Sequence, residues 1–153
     1  MIDKYFIKIK VLRLFIFLFA LFWFIGIISP CFDLNIFHLF YPYLKLTYST
    51  ICHQNIHKSF NCGNNFFLVC SRCTGIYFSV LIISLVVLLL NVNIKVTLKH
   101  LIILSLPMLI DVIFYSIGFY RYNKIIAGFT GILFGSVVFL YILSAIENSL
   151  RKQ

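Results

Sequence analysis

Residues 69–91 read VCSRCTGIYFSVLIISLVVLLLN. The stretch opens on Cys70-x-x-Cys73 with Arg72 between the cysteines, then runs from Thr74 to Asn91 without a charge. A buried strand takes 4–8 residues, so a run this long reads as a helix. Crossing a ~30 Å hydrocarbon layer takes about 20 mostly apolar residues, and the run is close to that length. A reactive polar cluster set directly on a membrane span is the reading from which the rest of the fold follows.

The remaining sequence agrees. Of 153 residues, 62% are hydrophobic and 11% charged, with 13 Lys and Arg against 4 Asp and Glu. Soluble domains are nearer half apolar and a quarter charged, which excludes an ordinary soluble fold. Three further spans are expected at about 11–30, 101–119 and 125–146, beside the one at 74–91. The first follows Lys4, Lys8 and Lys10, like a signal peptide. It is long, however, and no small-x-small cleavage pattern follows, so it is read as an uncleaved helix. Residues 31–50 are apolar but broken by Asp33, His38, Pro42 and Lys45, which suits a short interfacial helix. The expected fold is all-α: a single four-helix integral membrane bundle with a Cys-rich interfacial cap over 31–73. No internal repeat or low-complexity linker interrupts it.

Four spans put both termini on one side. That side carries Lys4, Lys8, Lys10, Arg13, Lys95, Lys99, Arg151 and Lys152. The other carries Lys45, Lys58, Arg72, Arg121 and Lys124, so the termini are expected in the cytoplasm and the cap outside. The basic excess then orients helices. The expected partners are the lipid bilayer and a lipid-borne small molecule, not nucleic acid.

The cap concentrates the chemistry in ICHQNIHKSFNCGNNFFLVCSRCTGIY, from Ile51 to Tyr77. Three readings compete. In the first, Cys52, Cys70, Cys73 and His53 or His57 hold a metal, with zinc the expected ion because it takes four tetrahedral S and N ligands. Neighbouring Cys52 and His53 are poorly placed to bind one ion together, so His57 is the alternative imidazole. In the second, Cys70 and Cys73 form a redox pair. A helix N-terminus and Arg72 would favour the thiolate, Cys52 and Cys62 would form a second pair, and a quinone or partner protein would accept electrons. In the third, the cysteines are staples for a long loop. His38 and His100 are read as ordinary boundary residues, and Cys31, alone after the first helix, as a free thiol.

Asp111 is the acidic residue inside a span, about ten residues from each expected boundary. A charge there is costly and calls for a partner. Arg72, Arg121 and Thr130 are the candidates. Asp111, Tyr115, Gly118 and Tyr122 fall on one helical face by spacing, and Asp111 and Arg72 are the candidate catalytic residues of a polar pocket. In the last span Gly128, Gly131 and Gly135 form a stripe suited to close helix packing.

CHQNIHKSF, VCSRCTGIYFS and LPMLIDVIFYSIGFYRYNKIIAGFTGILFG together resemble the signature of an uncharacterised family of small bacterial and archaeal predicted membrane proteins. The resemblance covers about Ile51 to Gly135. It rests on Cys52, His53, Gln54, Ser59, Phe60, Cys70, Arg72, Cys73, Thr74, Gly75 and Tyr77 in the first blocks. Pro107, Asp111, Gly118, Asn123, Thr130 and Gly131 carry it in the last. Lys58 stands where that pattern has Arg, and Cys62 falls outside it. The resemblance implies a membrane fold and a set of functional positions, but no activity.

Overall fold

The computed structural model of the chain describes residues 2–32, 35–90 and 96–151. Asp33 and Lys95, the side chain of His38 and the end of the second span at Asn91 lie outside the described residues. Helix α1 (Ile2–Ile28) ends in a 3-10 turn at Ser29–Cys31, and α2 (Asn35–Ser49) follows. A second 3-10 turn at Ile56–Lys58 leads into strands β1 (Ser59–Cys62) and β2 (Asn65–Cys70). The chain then runs through α3 (Ser71–Leu90), α4 (Leu98–Ser116) and α5 (Lys124–Arg151). Helices α1, α3, α4 and α5 are long and apolar enough to cross a membrane. The expected four-span architecture therefore stands.

The closest packing is α3 against α5, with α1 on α3 and α4 on α5. Its interior is small and weakly polar. Ser71, Ser79 and Ser84 of α3 and Thr130 of α5 are buried, while Phe22, Leu89 and Ile125 face outward. Lipid supplies no hydrophobic drive between helices, so close backbone approach holds them together. A Cβ added at Gly75 would strike the Gly128 carbonyl oxygen, and one at Gly131 the Arg72 carbonyl oxygen. The hydroxyls of Ser79, Ser84 and Thr130 bond within their own helices, to the carbonyls of Ile76 at 2.7 Å, Leu81 at 2.9 Å and Ala127 at 3.2 Å. Thr130 is thus no partner of Asp111.

Three features correct the sequence reading. First, the cap contains a β-hairpin. Antiparallel β1 and β2 pair Cys62 with Asn65 across a two-residue turn in which Gly63 takes φ +62°. Positive φ at the first turn position, where glycine meets no steric penalty, is the type II′ pattern that matches strand twist. Second, Cys31 is not free, and Cys62 does not pair with Cys52: Cys31 and Cys62 form a disulfide that ties the end of α1 to β1. Third, α5 runs past the expected span end at 146 to Arg151, so Glu147 is helical and buried. Arg13 of α1 grips it in two-pronged fashion, Nε to Oε1 at 2.8 Å and Nη2 to Oε2 at 3.0 Å. Its Nη1 also donates to the Val87 carbonyl of α3 at 3.2 Å. This buried pair fastens three helices at the end of the bundle away from the cap.

The α4–α5 connection is built by caps. Gly118 takes φ +81°, its N–H donates to Tyr115 O at 3.1 Å and the Phe119 N–H to Phe114 O at 3.0 Å. The Phe114 and Phe119 rings meet at 5.3 Å. This is a Schellman ending with its hydrophobic contact. Asn123 then caps α5, its Oδ1 accepting from the N–H groups of Ile125 at 2.9 Å and Ile126 at 3.4 Å. Because α4 stops at Ser116, Asp111 lies about 7–8 Å from the helix end at ~1.5 Å per residue, closer to the cap than a mid-span position.

Candidate metal centre and polar clamp under the cap

Cys52 follows α2, where its N–H donates to the Tyr48 carbonyl at 3.0 Å and finishes the helical turn. Cys70 ends β2 and Cys73 lies in the first turn of α3. The chain is reversed between α2 and the hairpin by Gln54, whose φ of +48° is unusual for a residue with a side chain. Such a conformation persists only where its surroundings hold it. Here Gln54 Nε2 donates to the Lys45 carbonyl at 2.8 Å, and an Asn55 turn follows, with Oδ1 accepting from the His57 N–H at 3.0 Å. Buried Ser59 closes that turn onto the Asn55 carbonyl at 3.1 Å.

The result brings Cys52, Cys70 and Cys73 together. Their three sulfurs lie within 4.8 Å of one another. The Cys70 N–H donates to Cys52 Sγ at 3.3 Å. Hydrogen bonding from the Cys70 and Cys73 side chains pulls the Cys52 thiol down toward thiolate, and that same interaction pushes Cys70 up. Ile27, Tyr48, Leu68 and Val69 pack beside Cys52, with Trp23 and Tyr77 against them. Tyr48 reaches over Gly26 and donates to the Trp23 carbonyl at 2.7 Å, and burial pushes its phenol up to about 12. The sulfurs thus sit on an apolar, aromatic floor.

His53 and His57 are exposed and stand outside the sulfur group, and Cys62 is held in its disulfide. The structure brings together three of the five expected ligands. His100 bonds Thr97 at the start of α4, as an ordinary boundary residue would.

Arg72 turns the other way, to α4. Its guanidinium pairs with the Asp111 carboxylate, and the Tyr120 hydroxyl donates to the second carboxylate oxygen. Arg121 is exposed in the loop, so of the basic candidates Arg72 is the partner. Tyr120 was not expected; it is nine residues on, beyond the helix end, and only the Schellman turn brings it back. Helical spacing does not extend from Tyr115 to Tyr122, yet their rings meet at 5.4 Å, and Tyr122 shares a hydrogen bond with Ser71 Oγ at 2.7 Å. Desolvation pushes the Tyr122 phenol up. Phe60 fills the space over Gly128, and Lys58 lies 4.4 Å from the Tyr115 ring centroid. The sulfur group and the Arg72–Asp111 clamp therefore flank the first turn of α3 from two sides.

Residues 52–141 match the model of the family described as "Predicted membrane protein (DUF2085)". An uncharacterized protein of Methanocaldococcus jannaschii is 32% identical over 113 residues, which cover 72% of each chain. No solved structure matches the chain.

Proposed function

The chain belongs to that family of predicted membrane proteins, and we propose that it holds a thiophilic metal ion, zinc, on Cys52, Cys70 and Cys73. The observation that carries the reading is the meeting of three sulfurs from two separate segments. At a Zn–S distance of about 2.3 Å, tetrahedral ligands stand about 3.8 Å apart, within reach of sulfurs already this close. The Cys31–Cys62 bridge supports it. A disulfide in the same cap marks an oxidising compartment, where three touching thiols would oxidise unless bound. The same bridge supports placing the cap outside and both termini in the cytoplasm.

Three protein sulfurs leave a fourth tetrahedral position for solvent, a ligand or an imidazole. Zinc with such a position lowers the pKa of bound water and polarises carbonyls. The residues of this chain supply the setting. The aromatic floor of Trp23, Tyr48 and Tyr77 excludes water on one side, and Arg72 and Asp111 anchor the turn that carries Cys73. We assign these two a positioning role. A molecule acting here would come from the membrane or its surface.

Cobalt(II) titration of chelator-treated protein tests the assignment. Thiolate-to-metal charge-transfer bands should appear at one equivalent and vanish in Cys52→Ser, Cys70→Ser and Cys73→Ser. If His53→Ala or His57→Ala shifts the visible bands, that imidazole fills the fourth position. Absence of thiolate bands, with a mixed disulfide between Cys70 and a partner thiol trapped in Cys73→Ser protein instead, would replace the metal with thiol-disulfide exchange coupled to a quinone or partner protein.

A further inference from the structure

A second site lies beside the clamp and uses none of the three thiols. A cleft of about 910 Å³ opens between the 3-10 turn at Ile56–Lys58 and the α4–α5 loop. His57, Lys58, Tyr115, Tyr120, Arg121 and Tyr122 line it, and none of its lining residues is acidic. Lys58 lies over two rings, 4.4 Å from the centroid of Tyr115 and 5.4 Å from that of Tyr122. That contact places the ammonium itself at the mouth of the cleft, held against the ring faces. Asp111, on the helix that supplies Tyr115, is neutralised by Arg72. Among the described residues the cleft therefore gathers two cations, Lys58 and Arg121, with His57 at their side and no carboxylate in its lining. Behind Tyr122, whose ring centroid is 5.9 Å from the Arg72 guanidinium carbon, buried Arg72 Nε has no hydrogen-bond partner among the described residues.

The surroundings are apolar. Ile117 and Phe119, in the loop that forms one wall, are exposed. A cationic, tyrosine-lined cleft beside greasy side chains, at the end of a membrane bundle, has the makeup of a headgroup site. Lysine and arginine supply charge, and the tyrosines sit at the depth where their rings favour the membrane surface.

We propose that this cleft binds the phosphate group of an anionic ligand, with the headgroup of a phosphatidylglycerol-type lipid as the form the apolar flank favours. Native mass spectrometry of detergent-purified protein tests it with three probes: dihexanoyl phosphatidylglycerol, dihexanoyl phosphatidylcholine and inorganic phosphate. The anionic lipid should bind at concentrations where the zwitterionic one does not. Lys58→Gln with Arg121→Gln should weaken it about 30-fold, taking about 1 kcal/mol for each cation near a membrane surface and 1.4 kcal/mol per tenfold. Arg121→Gln alone, in an exposed loop, should weaken it about fivefold and guards against misfolding of the pair. Lys99→Gln, exposed at the other end of α4, should change nothing. Displacement of the lipid by inorganic phosphate would show that phosphate itself is the ligand. Failure to displace it would show that the lipid is required. Equal binding of the two lipids, or wild-type binding by both Gln variants, overturns the proposal. Loss of the metal in Cys70→Ser with phosphate binding intact keeps the two sites' fates separate.

Discussion

Neutralising the Arg72–Asp111 clamp tests the geometry under the cap through its coupling. Asp111 has 4% of its side chain exposed and Arg72 17%. In Asp111→Asn the guanidinium loses its counter-charge while held under the cap, and in Arg72→Gln the carboxylate does. Removing one partner of a buried pair costs about 3–5 kcal/mol. Arg72 is the less buried partner, so about 3 kcal/mol is expected for Asp111→Asn. The Tyr120 hydroxyl still has an amide oxygen to bond there, which spares a further penalty. Arg72→Gln should cost at least as much, because Asp111 is more deeply buried. The double variant replaces two ions with two amides that can bond each other, and should cost no more than either single change. The coupling energy is then about 3 kcal/mol. Denaturation by SDS from a mild detergent, followed by the emission of Trp23, the single tryptophan, would measure all four proteins. Trp23 packs 5.0 Å from Tyr48 on the sulfur side of α3, so it reports cooperative unfolding and not the clamp itself. Additivity within about 0.5 kcal/mol would refute the pair as drawn.

Other outcomes follow from the same structure. Opening the Cys31–Cys62 bridge, with 31 residues of separation, should cost about 3.7 kcal/mol on the chain-entropy relation, and less if the unfolded helices stay in the micelle; unfolding of oxidised and Cys31→Ser protein would show it. Gly131→Ala should cost about 1–3 kcal/mol or more, because the added carbon meets backbone of α3. Gly118→Ala meets nothing and should cost about 1–2 kcal/mol from its left-handed φ alone; the reverse order would place the close approach elsewhere. Metal affinity should fall as the pH is lowered, since the ion needs thiolates. With Cys52 held down and Cys70 pushed up, metal binding must displace protons from the thiols that remain protonated, Cys70 among them, and chelator competition from pH 6 to 8, measured with a pH indicator, should show that release. A pH-independent affinity would argue against thiolate ligands.

The spans were readable because hydropathy reports them directly: a run such as Ser79–Leu90 has no alternative in water. The glycine stripe and the need of Asp111 for a basic partner were readable for the same reason, since lipid punishes gaps and lone charges. What escaped depended on turns. Gly63-Asn64 between two short runs was a hairpin signal, but four- and six-residue strands inside a polar island show little alternation. Cys31 looked solitary because its partner is 31 residues away, and spacing carries no information on pairing. Tyr120 joined Asp111 only through the Gly118 turn. The Arg13–Glu147 pair was hidden because each residue reads as a boundary charge, and only the length of α5 brings them together. In the sulfur site, Cys70 and Cys73 were expected as a unit from their spacing. Cys52 joins them through the positive φ of Gln54, a backbone state that no residue type announces.

The most direct test of the metal assignment is elemental analysis of detergent-purified protein with a thiol count after denaturation. The account predicts one zinc per chain, three titratable thiols once the ion is removed, and one disulfide. No bound metal, with one thiol and two disulfides, would contradict it.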